Sequence, residues 1–121
     1  MNQHVALQSQ SDCPFVASCS DIQFIRTAQD FLELLVWGME QGANRFILGD
    51  SNFAPEFYDL TTGLAGELLQ KLSNYSARLA IVGTFDMVAS NRFRELMAEA
   101  NKGSQVHFAR SRDDVLSWLM E

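Results

Sequence analysis

Residues 60–83 of the chain, LTTGLAGELLQKLSNYSARLAIVG, decide the fold. Leucines recur at every fourth position in the first half of this stretch, which predicts an amphipathic helix over residues 61–75. They are Leu60, Leu64, Leu68 and Leu72. The second half ends in residues 78–83, a continuous apolar run that is typical of a strand covered on both faces. A helix followed by such a strand indicates an α/β fold.

The segments on either side continue the alternation of strands and helices. Four further strands are predicted from short apolar or alternating runs. They cover residues 3–8, 14–19, 45–48 and 105–109. Helices are predicted after Thr27, over residues 91–101 and after Ser111, since Thr27 and Ser111 each precede an aspartate by three residues, as in a capping box. The order β-β-α-β-α-β-α-β-α predicts a single small domain over residues 1–121, with an N-terminal β-hairpin and a mixed, mostly parallel sheet.

Composition excludes several classes of protein. The chain has 121 residues, of which 47% are hydrophobic and 20% charged, so we expect a buried core and no long disordered region. A net charge of -6 repels phosphate backbones, so no nucleic-acid partner is expected. The longest apolar stretch, residues 31–39, is interrupted by Glu33 and is too short to span a bilayer, so no membrane partner is expected either.

The cysteines and histidines argue against disulfides, metals and cofactors. The spacing of Cys13 and Cys19 is not a metal-binding spacing, and two cysteines so far apart in one strand are beyond disulfide reach. We therefore expect free, buried thiols in a reducing compartment, the cytoplasm, and the first residues show no secretory signal. His4 and His107 stand alone, so no metal site and no other cofactor is predicted.

A family resemblance rests on three segments. They read FYDLTTGLAGELLQKLSNY at residues 57–75, RLAIVG at 78–83 and EANKG at 99–103. Together they resemble the DUF4180 family of small bacterial proteins, which has no established activity, so the resemblance implies no function. Thr84 stands where that family usually has aspartate.

The chain also has a looser similarity to STAS domains, the anti-sigma-factor-antagonist fold, so a STAS-like α/β architecture is expected. Residues 61–64 match the end of the D-(S/T)-(S/T)-G-(L/I) stretch of those domains, although one residue separates them from Asp59. In STAS regulators a partner kinase phosphorylates the hydroxyl before the glycine. By position, the similarity implies that Thr62 is the acceptor.

The start of the central helix is the first candidate site. Asp59, Thr61 and Thr62 are good N-cap residues, and capping alone explains them. The other interpretation is that the helix N-terminus binds a small anion, or holds a phosphate on Thr62. Gly63 and Gly66 are costly within a helix, which indicates either close packing on a strand or close approach of a ligand or partner.

The polar face of the same helix carries Glu67, Gln70 and Lys71, away from the leucines. Glu67 and Lys71 are spaced to form an i,i+4 ion pair. The face is either solvated or a docking surface that a protein partner recognises.

A second candidate site is the crevice at the carboxyl ends of the strands, where open α/β sheets bind ligands. Asp50 and Ser51 follow one predicted strand, and Thr84 and Asp86 follow the next. With Asp59, the carboxylates offer Mg²⁺ and phosphoryl chemistry, as in response-regulator receivers, but the order of the elements argues against a receiver. Turn formation explains the same residues.

Three hypotheses follow. The leading one is a non-enzymatic regulatory or protein-interaction module that uses the helix start and the polar face, with an unidentified protein partner. The alternative is a domain, with or without catalysis, that binds a small ligand or anion in the strand-end crevice near residues 59–63. The third is a structural subunit, since Trp37 is expected to be partly exposed and a homodimer would bury it.

Overall fold

The computed structural model describes residues 3–121, and its element order follows the sequence prediction. The strands are β1 (Val5–Gln10), β2 (Cys13–Ser18), β3 (Arg45–Gly49), β4 (Arg78–Val82) and β5 (Val106–Ala109). The helices are α1 (Ala28–Glu40), α2 (Leu64–Asn74), α3 (Asn91–Ala100) and α4 (Arg112–Leu119). The predicted α/β fold is therefore confirmed, and each strand boundary lies within two residues of its prediction.

The five strands form one sheet in the order β1-β2-β3-β4-β5. β1 pairs with β2 antiparallel, and the remaining pairs are parallel. The hairpin closes through Ser11 and Asp12, whose φ values of 52° and 63° are both left-handed. Two left-handed residues give a turn whose twist matches that of the flanking strands.

The helices cover the two faces of the sheet unequally. Successive parallel strands are neighbours, so right-handed crossovers place α1, α2 and α3 on one face. Their core includes Phe31, Leu68 and Phe93, which pack with the β4 residues Leu79 and Ile81. α4 follows β5 and covers the opposite face.

The opposite face has its own, smaller core. Val115, Trp118 and Leu119 of α4 pack there against Ile47 and Ala80 of the sheet. Large side chains such as Phe15 and Trp118 share this core with the small Ala17 and Ala80, so one short helix is enough to cover this face.

Arg78 holds the C-terminus of α4 at the amino ends of the strands. Its guanidinium donates to the carbonyl oxygens of Trp118 (3.0 Å), Leu119 (3.1 Å) and Glu121 (2.9 Å), and lies 4.2 Å from the centre of the Trp118 ring. Arg45 donates to the Leu119 carbonyl as well, at 2.8 Å. A cation at a helix C-terminus satisfies the carbonyls that lack helical partners.

Local capping follows the sequence prediction at two helices. Thr27 Oγ1 accepts from the Asp30 N–H at 3.1 Å, and the Asp30 carboxylate accepts from the Thr27 N–H at 3.2 Å, which completes a capping box. Ser111 Oγ accepts from the Asp114 N–H at 3.1 Å.

Trp37 is half-buried against the core, on the side of α1 next to Val36, which is 40% exposed.

The start of α2 differs from the prediction. The helix begins at Leu64 rather than at residue 61, because residues 60–62 form a 3-10 turn and Gly63 has a left-handed φ of 80°. A left-handed residue cannot lie inside a right-handed α-helix. Gly63 is therefore a turn residue for which glycine is favoured, and it carries no cost as a helix-interior glycine.

The two thiols are free, but neither is buried as predicted. Cys13 is half-buried in β2, and Cys19 is exposed because it follows the last residue of that strand. Among residues 3–121, none of the helices has the length and apolar character needed to cross a membrane.

Candidate functional site

A crevice of about 270 Å³ lies where β3 and β4 end. Its lining consists of Gln23, Asp50, Ser51, Phe53, Pro55, Tyr58 and Met87. A carboxylate and hydroxyl groups therefore stand against apolar walls. This combination of a few polar groups and an apolar surface is typical of small-ligand sites.

The turn after β3 is fixed by a buried amide. Asn52 is fully buried, and its Oδ1 accepts from the Gly49 N–H at 2.7 Å. Its Nδ2 donates to the carbonyls of Ser20 (3.0 Å) and Ile22 (2.9 Å) in the segment that leads to α1. The amide thus ties two loops together and sets the position of Asp50, which directly follows Gly49.

Asp50 is held against the end of β4. Its Oδ2 accepts from the Phe85 N–H at 3.0 Å, while its Oδ1 has no hydrogen-bond partner within residues 3–121. The carboxylate also lies directly against Gly83, so that a β-carbon at Gly83 would overlap it. Glycine is required there by this close approach, and one carboxylate oxygen of Asp50 stays available.

Phe85 adopts a backbone conformation that L-residues rarely take. Its φ is 58°, its side chain is buried, and its ring packs edge-on against Phe108 at 5.6 Å. A non-glycine residue in this region is strained by about 1–2 kcal/mol. This backbone conformation points the Phe85 N–H at Asp50, and the resulting hydrogen bond keeps the carboxylate in place.

Tyr58 joins the crevice to the turn that precedes α2. Its hydroxyl donates to the Asp50 carbonyl at 2.6 Å, and the residue is 6% exposed. Burial, and secondarily the negative charge of Asp50, raise the pKa of Tyr58 far above its usual value of 10.0. The phenol is therefore neutral and is a fixed part of the crevice wall.

The structure brings only part of the predicted strand-end set together. Asp50 and Ser51 line the crevice, whereas Thr84 and Asp86 are exposed and lie outside its lining, as does Asp59. The β4–α3 loop contributes Met87 instead. Within residues 3–121, no three His, Cys, Asp or Glu side chains are grouped as a metal site would require.

The start of α2 is organised by internal hydrogen bonds. Asp59 Oδ1 accepts from the Thr61 hydroxyl at 2.7 Å and from the Thr61 N–H at 3.0 Å. These two bonds, the side-chain bond first, lower the pKa of Asp59 below its usual value of 3.8. Asp59 thus caps the 3-10 turn rather than α2 itself, which the sequence did not indicate.

The Thr62 hydroxyl is also engaged within the chain. It lies 2.7 Å from the Glu56 carbonyl and 2.8 Å from the Asp59 carbonyl, and it accepts from the Leu64 N–H at 3.3 Å. Thr61, Thr62 and Gly63 are all exposed to solvent. The turn is therefore accessible, but its hydroxyl groups already have partners.

The polar face of α2 is largely solvated. Glu67 and Gln70 are exposed and Lys71 is half-buried, and Gln70 donates to the Asn74 side chain at 2.9 Å. The expected Glu67–Lys71 ion pair does not form. The ion pair found within residues 3–121 joins Lys102 and Glu99.

Gly66 lies on this face with open space around it. A β-carbon added there would meet no atom within 4 Å, so packing on a strand does not explain this glycine. Of the two sequence interpretations of Gly66, the one that relies on packing inside the chain is wrong.

Sequence reasoning missed Asn52, Tyr58 and Gly83, each of which shapes the crevice. A tyrosine directly before Asp59 and a glycine directly after a strand are visible in the sequence, but neither pattern shows what the residue contacts. Asn52 bonds to residues 30 and 32 positions away, Gly83 lies against Asp50 of another strand end, and Tyr58 bonds to Asp50 across eight positions of irregular chain.

Fold and site together define a small α/β domain with sequential strand order and a crevice at the strand ends. The chain belongs to the family described as domain of unknown function (DUF4180), whose model matches residues 11–119, so the predicted family is confirmed. No curated protein and no solved structure matches the chain significantly. The looser similarity to STAS domains therefore stays a prediction.

Proposed function

We propose that the chain is a non-enzymatic binding module that takes a small cationic ligand, such as a primary amine, in the strand-end crevice. The observation that carries this proposal is the Asp50 carboxylate, which accepts from the Phe85 N–H and keeps its other oxygen without a hydrogen-bond partner among residues 3–121. A rigid anion with an unsatisfied oxygen loses little entropy when it pairs with a cation.

The rest of the crevice supports a ligand with an apolar body and a cationic end. Phe53, Pro55 and Met87 offer apolar contact, while Ser51 adds a hydroxyl group at the rim. The Tyr58 phenol stays neutral and already donates its proton, so it can only accept from an ammonium or guanidinium group.

The test is a titration with putrescine and agmatine, in which the NMR chemical shift of the Phe85 amide reports binding. Asp50→Asn keeps the side-chain shape and an acceptor for the Phe85 N–H but removes the charge. Amine binding should weaken at least about tenfold. Asp86→Asn is the matched control, since Asp86 is exposed and outside the crevice. Equal affinity in Asp50→Asn, or no saturable shift below about 10 mM amine, contradicts the proposal.

A second candidate function is protein interaction through the exposed face of α2, and Gly66 favours it. A glycine inside a helix costs about 1 kcal/mol relative to alanine, and no close contact in the described part of the chain explains why alanine is absent there. Close approach of a partner backbone is the interpretation left from the sequence. Glu67, Gln70 and Lys71 would flank that contact.

Thr62 would act as the switch of such an interaction. Phosphorylation replaces the proton that the hydroxyl shares with the Glu56 and Asp59 carbonyls and places negative charge beside them. The turn before α2 would then open. An intact mass from native cells that carries one phosphate, lost in Thr62→Ala, supports this; a phosphate unchanged in that variant rules out Thr62.

Gly66→Ala tests the docking surface. The substitution should stabilise the free chain by about 0.5–1 kcal/mol, because α2 gains a better helix former without a clash. It should also weaken capture of partner proteins from native cells. Gly103→Ala, outside α2, is the control for capture, and an unchanged set of partners in Gly66→Ala argues against the surface.

Both functions suit the cytoplasm, which the free thiols of Cys13 and Cys19 support.

A further inference from the structure

The two edge strands of the sheet differ in how their outward backbone groups are satisfied. β1 and β5 lie at opposite edges. An edge strand presents unpaired N–H and C=O groups, and these promote pairing with another chain unless something covers them.

The β5 edge is closed by a side chain. The Gly83 N–H donates to the Ala109 carbonyl at 3.1 Å, so Ala109 faces β4 and the adjacent Phe108 faces outward. Asn101 Nδ2 donates to the Phe108 carbonyl at 2.9 Å, and Asn101 Oδ1 accepts from the Phe108 N–H at 2.7 Å. The amide thus occupies the place that a further strand would take.

The β1 edge lacks such a cover within residues 3–121. The Cys19 N–H donates to the His4 carbonyl at 2.9 Å, so His4 faces β2. Backbone groups alternate along a strand, so Val5, Leu7 and Ser9 face outward. Their N–H and C=O groups have no partner in the described part of the chain.

The side chains of β1 do not protect the edge either. The strand, VALQSQ, contains no charged residue and no proline, the two features that most often prevent edge pairing. Leu7 is 45% exposed. A chain with a net charge of -6 thus has a neutral, partly apolar strand on one edge.

We propose that β1 is a homodimer interface, at which two copies of this chain pair antiparallel about a two-fold axis through Leu7. The outward groups are self-complementary in this register. Leu7 faces Leu7 of the second copy, and Val5 faces Ser9 on either side of the axis. In each of these pairs the two residues exchange both hydrogen bonds.

The same register explains the exposed leucine. Leu7 lies opposite Val16 of β2, on the face where α1, α2 and α3 pack. Across the two-fold axis the two Leu7 side chains come into contact and are removed from water. The strand itself carries no charge, and the nearby Arg112 guanidinium, which donates to the Gln8 side chain, is cationic, so no carboxylates of β1 repel each other when two acidic molecules approach at this edge.

The test is the oligomeric state by sedimentation velocity at up to about 200 µM chain. Leu7→Lys places two like charges across the axis and should weaken the dimer at least about tenfold. Ile22→Lys is the matched control, because Ile22 is 52% exposed but lies outside β1. The wild-type and Ile22→Lys chains should be dimers that dissociate on dilution.

Hydrogen exchange provides a readout that a merely destabilised variant would not reproduce. The amides of Val5, Leu7 and Ser9 should become protected as the concentration rises, whereas Ala6 and Gln8 should be protected at all concentrations. A monomeric wild-type chain, a dimer that persists unchanged in Leu7→Lys, or a dimer without protection at Leu7 overturns the proposal.

Discussion

β1 and β5 are both edge strands, but their outward N–H and C=O groups are satisfied in different ways. Phe108 of β5 has its outward N–H and C=O groups paired with the side chain of Asn101. Leu7 of β1 has its outward groups free within residues 3–121. The difference follows from connectivity. A crossover helix precedes β5 and ends beside its edge, whereas β1 is joined to the sheet by the hairpin turn that follows it.

The comparison shows that an edge is protected where a helix end can reach it. Asn101 is the residue after the last turn of α3, and it lies seven positions before Phe108 in the chain. A two-residue hairpin turn offers no such side chain. The outward groups of β1 are therefore left to water or to a second chain, and pairing with a second chain is the arrangement proposed above.

The largest effect is expected from opening the protected edge. Asn101→Ala removes both bonds to Phe108 and should lower the free energy of unfolding by about 2–3 kcal/mol, since part-buried backbone groups lose their partners. Urea unfolding measures the loss. Light scattering should show new association through β5.

Asn91→Ala is the control for this prediction. Asn91 is exposed at the start of α3, and its side chain makes no hydrogen bond within residues 3–121. Its substitution should change the stability by less than about 0.5 kcal/mol. Equal stabilities for the two variants would show that Asn101 does not protect the edge.

A smaller effect is expected from strengthening the hairpin that carries β1. Asp12 has a φ of 63°, a conformation that favours glycine, so Asp12→Gly should raise the free energy of unfolding by about 1 kcal/mol. Asp21→Gly makes the same change of charge at a residue without a positive φ and should give no gain. A gain of the same size in both variants would assign the effect to charge.

The smallest effect is expected in the pH dependence of the free energy of unfolding, through His107 of β5. His107 stacks on Trp118 at 5.1 Å, and its Nδ1 is buried without a hydrogen-bond partner among residues 3–121. Burial lowers the pKa of His107 below 6.5, an effect that the charges of Glu121 and Asp114 oppose. The unfolded chain then binds the proton more readily than the folded chain.

The stability that His107 contributes is therefore present above pH 6.5 and is lost as the pH falls below 6.5. Urea unfolding between about pH 7.5 and pH 5.5 measures this change. His107→Gln should flatten the acid limb of the profile. An unchanged profile in that variant would assign the acid limb to other groups.

The parts of the fold that were predicted correctly depend on near neighbours in the chain. Thr27 and Ser111 each bond to the N–H three residues on, so their caps were visible in the sequence. The strands were visible because the apolar runs are only four to six residues long, which suits strands better than helices. The start of α2 was misplaced because Gly63 could be either a helical or a left-handed residue.

The candidate site was predictable only in part. Asp50 and Ser51 were found because they follow a buried strand, and ligand crevices lie at strand ends. The same rule also selected Thr84 and Asp86, which are exposed and outside the crevice. Being near a strand end does not specify the direction of a side chain in a loop.

The sequence alone determined the element order, the family and the local caps, because each depends on patterns within a few residues or on a long motif. Tertiary structure decided which groups meet. The contact of Asp50 with Phe85 joins residues 35 positions apart. It exists because β3 and β4 pair in parallel and end together. Whether Leu7 lies on an open edge is likewise decided by the order of the strands in the sheet. A sequence pattern predicts the order of the strands along the chain but not their order in the sheet.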